Sequence, residues 1–388
     1  MGHAPLSRSH GRARRRVAVV TGTRAEYGLL RTVMRAILLQ PRLKLQVVVT
    51  GIHLLPEFGH TVDDLVADGW RIDARVPMQS GSDDALDQAL GLSRGVAGIA
   101  RFLEDARTEV VAVLGDRIEA LAGALAAVTT GRVLTHIHGG DVAPGDFDDG
   151  LRHAITKLAH VHFAATRNAA RRLLRLGERP EYVHVVGAPG LDRLCESMAT
   201  ETTRRRRSGA ALIVQHACGR RARQEERVMA MLLEAARAFE LRRTIIYPNT
   251  DRGHSGILSA IARHTRKSND GAVEVIRSLP RDEFLRRLLR ADVMVGNSSA
   301  GIIEAPLAGT PSVDVGPRQA GREPGGPSIF HAEESARSVR AALRRALRTR
   351  PRRRSRSVYG DGQAGARIAR ILADLRVTED LRRKRIRY

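Results

Sequence analysis

Short runs of β-branched and aliphatic residues recur along the chain, each ending in a turn and each followed by an amphipathic stretch. The first unit runs from RVAVVTGTR (16–24) through AEYGLLRTVMRAILLQ to LKLQVVVTG (43–51). Strand, turn, helix and strand within about 35 residues make a βαβ unit, whose parallel strands require a right-handed crossover. The pattern returns as EVVAVLGDR (109–117), a helix over IEALAGALAAVTTG and a strand over RVLTHIHGG. It continues with helix and strand in GLRHAITKLAHVHFAAT, a helix over RNAARRLLRLG and a strand over YVHVVGAPG. A polar, basic stretch over 196–208 interrupts it. A second series starts at AALIVQHACG (210–219) and passes through RTIIYPNT, VEVIRSL, DVMVGNSSAG and TPSVDVG.

Two such series in succession predict an α/β protein of two Rossmann-like, doubly wound parallel-sheet domains facing a cleft. The expected organisation is a basic tail (1–16), a first domain (17–195), a linker (196–208), a second domain (209–350), and a basic segment with a C-terminal helix (351–388). Ligands of such sheets bind outside the carboxyl ends of the strands. The loops to watch are therefore 21–24, 50–53, 115–117, 136–150, 215–218, 247–254 and 296–301.

Composition limits the partners. The net charge is +23, yet 61 of the 65 basic residues are arginine and many sit in runs such as 204–207 and 344–356. That pattern reads as a solvated surface with basic tails. With only 3% aromatic residues the chain lacks the stacking surfaces that single-stranded nucleic acid uses, which argues against a nucleic-acid partner. Two cysteines, Cys195 and Cys218, exclude a disulfide scaffold and a four-cysteine zinc site. No apolar run approaches the ~20 residues that span a bilayer. The basic N-terminus leads into a strand without a signal-type apolar region, so a cytoplasmic protein is expected.

Four loops carry candidate chemistry. TGTRAEYG lacks G-x-G-x-x-G and so is not a dinucleotide fingerprint, but Gly22 and Arg24 can serve a phosphate at a helix start. GNSSAGIIEAP places Ser298 and Ser299 between a buried strand and a helix beginning near Gly301, where they suit a diphosphate or a simple N-cap. Glu304, one turn on, is a ribose-diol acceptor or a capping-box acid. LGDRIEA sets Asp116 and Arg117 directly after a strand, as an N-cap or as cleft groups. HIHGGDVAPGDFDDGLRHAITK (136–157) concentrates titratable groups, but its histidines lack H-E-x-x-H spacing and no cysteine supports them, so no metal is expected. Acids from this loop, brought near Asp116 by adjacent strand ends, suit proton transfer on opposite faces of a sugar carbon.

Taken together, TGTRAEYGLL, VVVTGIHLLPEFGHT, LGDRIEALAGALAA, HIHGGD…DDGLRHAITKLAHVHF, VVGAPGLD, YPNTDRGHSGI and GNSSAGIIEAPLAGTPSVDVGPRQAGR, in this order, make the chain resemble the hydrolysing UDP-N-acetylglucosamine 2-epimerases of sialic-acid and nonulosonate synthesis. The resemblance runs from about residue 17 to 370. It implies a GT-B-like fold, a nucleotide-sugar substrate and no cofactor, and it is compatible with a homodimer. The implied reaction is anti elimination of the nucleotide, UDP or GDP, followed by addition of water to release a manno-configured sugar. A GT-B glycosyltransferase and a non-hydrolysing epimerase are the alternatives on the same architecture. Carried over residue by residue, the catalytic set is Asp116, Asp148, His138, Asp141, Arg152 and His216, with Asp148 expected to move protons. The binding set is Gly22, Arg24, His53, Arg117, Asn249, Ser298, Ser299, Glu304 and Arg318. The chain departs from the family in having Asp141 where relatives have Glu, His138 where some have Glu, a loop one residue longer, and ACG after His216 where Pro-x-Thr is usual.

Overall fold

The strand runs assemble into two separate, wholly parallel sheets in the computed structural model, which describes residues 14–82, 85–142, 148–200, 208–249, 251–267, 271–349 and 357–387. The first sheet contains β1 (Arg15–Thr21), β2 (Leu43–Thr50), β3 (Ala74–Val76), β4 (Val110–Leu114), β5 (Val133–Ile137), β6 (Val161–Ala164) and β7 (Val183–Val185). The second contains β8 (Ala210–Val214), β9 (Arg242–Ile246), β10 (Val273–Ile276), β11 (Val293–Gly296), β12 (Ser312–Val315) and β13 (Ile329–Ala332). Their orders are β3-β2-β1-β4-β5-β6-β7 and β10-β9-β8-β11-β12-β13. The chain thus reverses its direction of winding between β1 and β4 in one sheet, and between β8 and β11 in the other. These reversals open crevices at the carboxyl ends of the central strands.

Both faces of each sheet are covered, which explains the unbroken apolar runs. In β1, Val17 and Val19 pack under the helix Arg24–Leu39 with Leu30, Met34 and Ile37. Ala18 and Val20 point the other way, beneath the helices Ala85–Asp105 and Ile118–Thr129. Adjacent strand residues serve opposite layers because the strand period is two. Each large side chain so buried contributes about 1.5–3 kcal/mol.

The C-terminal helix Ala364–Asp374 returns to the first sheet. Ile368 and Leu372 join the core beside Leu30 and Met34, and Asp192 caps the helix by accepting the N–H groups of Ala364 (2.9 Å) and Gly365 (2.7 Å). The short helix Glu379–Arg382 follows and lies over the same half through Leu381. No helix among the described residues is long and apolar enough to cross a membrane.

Candidate active site

A cleft of about 820 Å³ lies between the two sheets, where the loops after β1, β4, β5, β8 and β11 converge. Both winding reversals open into it. Arg24, Asp116, Arg117, His138, Asp141, Arg152, His216, Asn249, Ser298, Ser299 and Glu304 all line it. Gly22, His53 and Arg318 stand behind the lining. Asp148 opens the helix Asp148–Leu158, and its side chain lies outside the described residues.

Asp116 does not cap the following helix. The N-cap of Ile118–Thr129 is Arg117, whose side chain makes no capping bond. The Asp116 carboxylate instead takes the guanidinium of Arg152, a side chain only 2% exposed that also reaches Asp149 at 3.5 Å. His136 fixes the turn beneath: its Nε2–H donates to Gly115 O (2.7 Å), and Nδ1 consequently accepts from the Thr156 hydroxyl (3.1 Å). That bond ties β5 and the helix Asp148–Leu158 to the Asp116 loop.

The next strand end carries a second pair. His138 adopts a left-handed backbone (φ 65°), a conformation that costs a non-glycine residue energy and turns the side chain out of the sheet. Its Nδ1 lies 2.9 Å from Asp141 Oδ2, so a proton on Nδ1 leaves Nε2 for the cleft. Arg322, from the second domain, donates to the same Asp141 oxygen at 3.2 Å. Burial opposes ionisation of Asp141, but His138, Arg322 and Arg152 outweigh it and hold the carboxyl below the usual range.

The opposite wall comes from the second domain. Asn297 clamps the backbone of His216, accepting its N–H (2.7 Å) and donating to its carbonyl (2.9 Å). His216 Nδ1 accepts the Asn249 N–H at 3.1 Å, so the neutral ring carries its proton on Nε2. Burial, followed by the positive charge of Arg318, holds that imidazole down at about 3. Ser298 and Ser299 follow β11, and Ser299 makes no capping bond with its side chain.

The helix expected after them breaks into two short pieces, Ala300–Ile303 and Ala305–Ala308. Pro306 has no N–H for the carbonyl of Ile302, which accepts the Gly325 N–H (3.2 Å) instead. A Cβ on Gly325 would lie 2.3 Å from that oxygen. The Gly325→Ala variant is expected to lose about 1–3 kcal/mol of stability, because the Ser298–Glu304 segment must shift. Thermal unfolding reads it, and an unchanged Tm would show that the backbone yields without cost.

Glu304 sits at the break, paired with Arg281, which also donates to Gly190 O at 3.0 Å. Arg318 turns away from the lining toward Asp251 (4.0 Å), and Arg117 bonds that same carboxylate across the domains at 2.8 Å.

Gly22 and His53 act from behind. A Cβ on Gly22 would meet Glu119 Cγ at 2.4 Å, so the residue admits a buried acid close to the phosphate-type turn. The nitrogens of His53 are committed to the hydroxyls of Thr61 (2.7 Å) and Thr21 (3.2 Å). Glu26, absent from the sequence-based set, lines the cleft and accepts the Gly22 N–H at 2.7 Å. Burial, with Glu119 nearby, pushes its carboxyl up to about 8.

These buried groups set the stability profile. Burial lowers His53, His136 and His216 from 6.5 to about 3. The unfolded chain takes up those protons below 6.5 and the folded chain does not, so stability falls as pH drops from 6.5. Glu26, raised from 4.5 to about 8, and Asp192, raised by burial from 3.8 to about 6, act with the opposite sign. The folded chain keeps their protons after the unfolded chain has lost them, so stability falls as pH rises through those windows. Among these five groups, three imidazoles outweigh two carboxyls on the acid side, and of the five Glu26 alone still acts between 6.5 and 8. A maximum of Tm near pH 6.5 is expected in calorimetry between about pH 4 and pH 9. A Tm that climbs steadily from 6.5 to 8 would contradict it.

Residues absent from the sequence-based set are Glu26, Arg281 and Arg322. Arg322 lies in the same GPRQAGR stretch as Arg318, but a turn closed by the Arg322 N–H to Gln319 O (3.1 Å) separates the directions of the two side chains.

The sequence profile of the UDP-N-acetylglucosamine 2-epimerase family matches residues 35–373. The chain is 33% identical over 365 residues to a UDP-N,N'-diacetylbacillosamine 2-epimerase (hydrolyzing) of Legionella pneumophila, covering 92% of this chain and 95% of that one. It is 31% identical over 338 residues to a UDP-N-acetylglucosamine 2-epimerase of Neisseria meningitidis, covering 86% and 87%. Among solved structures, the UDP-GlcNAc 2-epimerase from Neisseria meningitidis bound to UDP-GlcNAc superposes with a TM-score of 0.75 at 17% identity, over 93% of this chain and 100% of that one.

Proposed function

Because the chain belongs to the UDP-N-acetylglucosamine 2-epimerase family, we propose that it is a hydrolysing member, converting a UDP- or GDP-linked 2-acetamido sugar to the free nucleoside diphosphate and the manno-configured sugar. The observation that carries this reading is a single cleft with proton-handling groups on one wall, Asp116–Arg152 and His138–Asp141, and hydrogen-bond donors on the other, His216, Ser298 and Ser299.

In the first step a base removes the C2 proton while the C1–O bond breaks, and the electron pair of the C2–H bond becomes the C1–C2 double bond of a 2-acetamidoglucal. The diphosphate departs with the C1–O electrons. In the second step water adds its oxygen to C1 and a proton reaches C2 from the opposite face, inverting that carbon. We assign the proton transfers to Asp116 and His138, which stand on the strand-end wall, and to Asp148, the first residue of the helix that carries Arg152. Asp141, held ionised by two cationic or proton-donating neighbours, is a weak base and serves better to orient the His138 imidazole, as carboxylates do in His–Asp pairs. Arg24, His216 Nε2–H and the serine hydroxyls meet the charge that develops on the departing diphosphate, where preorganised donors act most strongly. Glu304 accepts the ribose hydroxyls once Arg281 yields.

Incubation with UDP-N-acetylglucosamine, and separately with its 2,4-diacetamido analogue, in deuterated water tests the reading by NMR. Free UDP, a free manno-configured sugar (N-acetylmannosamine from the first substrate) and deuterium at C2 are expected. A manno sugar still attached to UDP would identify a non-hydrolysing epimerase. Transfer with C2 unchanged would identify a glycosyltransferase, and no UDP from any of these substrates would sink the proposal.

A further inference from the structure

Beneath the helix that carries Arg152, and away from the cleft, a buried carboxylate gathers two lysines. Glu178, 2% exposed, bonds Lys157 Nζ at 3.0 Å, His162 Nε2 at 2.9 Å and the Nζ of Lys384. Lys157 belongs to the helix Asp148–Leu158, whereas Lys384 comes from the last stretch of the chain. The Lys384 ammonium also donates to Thr156 O (3.0 Å) and to Ala159 O, carbonyls at the C-terminal end of that same helix. Thr156 O also takes the Ala159 N–H at 3.2 Å, Ala159 lies just past the helix end, and a cation is favoured at a helix C-terminus.

The strap is fastened on both sides of Lys384. His160 Nδ1 accepts the Leu134 N–H (2.9 Å), which fixes its proton on Nε2 and makes it a donor to Arg382 O (3.1 Å). The Arg387 N–H donates to Gly177 O at 2.9 Å, and Asp380 pairs with Arg179 at 3.0 Å. Only four of the 65 basic residues are lysines, and two of those four meet at Glu178. A compact ammonium with three rotatable donors can serve two carbonyls and a carboxylate at once, which the planar fork of arginine does not match.

We infer that Lys384 is a positioning residue for the proposed reaction: by pinning the C-terminal end of the helix Asp148–Leu158, the terminal strap sets the height at which Arg152 meets Asp116. The inference rests on the epimerase reading for its kinetic consequence, but not for its structural one. Arg152 lies five residues before Lys157, about one and a half turns up the helix. Freed from the strap, the helix can slide along its axis, and the Arg152 guanidinium then moves relative to the Asp116 carboxylate.

Two variants test it, Lys384→Met and a chain ending at Arg383, which removes the ammonium but keeps Leu381 in the core. Both are expected to lower kcat about tenfold to a hundredfold, the effect of a small misplacement of a catalytic group, while UDP affinity measured by calorimetry stays within about twofold. Hydrogen exchange is expected to speed up in amides 150–158 and to stay unchanged in 118–129. An intact kcat with unchanged exchange in 150–158 overturns the inference. So does a parallel loss of UDP affinity and of protection throughout the chain, which marks a role in stability alone. If Lys384→Met does not fold, Lys384→Gln, which keeps one donor, is read by the same measurements. Should the wild-type protein release no UDP, the epimerase reading fails, and the exchange experiment still decides whether the strap holds the helix.

Discussion

An Asp116→Asn variant is expected to lose about 10²–10⁴-fold in kcat while binding UDP as the wild-type protein does. The asparagine keeps an oxygen for the Arg152 guanidinium, so the strand-end wall retains its shape. It loses the negative charge, and with it the capacity to take or return a proton. Arg152, almost fully buried, keeps Asp149 at 3.5 Å, and a stability loss of about 1–3 kcal/mol is expected from the weakened charge-assisted bond. In the proposed reading the nucleotide is held mainly by loops of the other domain, after β8 and β11, and by Arg24, none of which touches Asp116, so its affinity is expected to change little. Full turnover by the folded variant would remove Asp116 from the chemistry.

Asp141→Asn is expected to cut kcat about a hundredfold or more and to cost about 3–5 kcal/mol in stability, more than Asp116→Asn does. One carboxylate oxygen serves both His138 and Arg322, and Arg322 is only 8% exposed. Without the charge, a buried guanidinium loses its nearest anion. Combining the change with Arg322→Met removes that stranded cation. The double variant is therefore expected to regain much of the melting temperature and none of the turnover. If the double variant recovers turnover as well, Asp141 only balances charge and does not orient His138.

The parallel-sheet architecture was legible because fully buried strands write themselves as continuous apolar runs, and Val17 to Val20 show this directly. The strands β3 and β13, three and four residues long, carry too little pattern to separate from loop, and they are recruited by the register of β2 and β12. The C-terminal segment reads as a basic stretch with a helix, but its arginines hide where it packs: Ile368 and Leu372 on one helix and Leu381 on the next join the core of the first domain.

At the site, strand-end position points to the loops and to Asp116, since the fold delivers those loops to the same place, whereas His138, Asp141 and His216 are singled out by the family resemblance. His53 illustrates the limit: a histidine in such a loop has the same local sequence whether it faces the cleft or, as here, spans two threonine hydroxyls behind it. Arg322 and Lys384 were beyond reach because their partners lie 181 and 206 residues away, and no local spacing encodes such a meeting. Glu26 was hidden by a capping-type position, where an acid is expected whatever the function.

The ion pairs Arg117–Asp251 and Arg322–Asp141 both run from one domain to the other, and both start within a residue or two of the strand-end acids. Any opening of the cleft for the proposed product to leave separates these two pairs of opposite charges and wets them. Ions in the surrounding solution weaken that attraction. Raising the ionic strength is therefore expected to ease opening of the cleft, and with it release of the proposed nucleoside diphosphate, without altering the bond-breaking step.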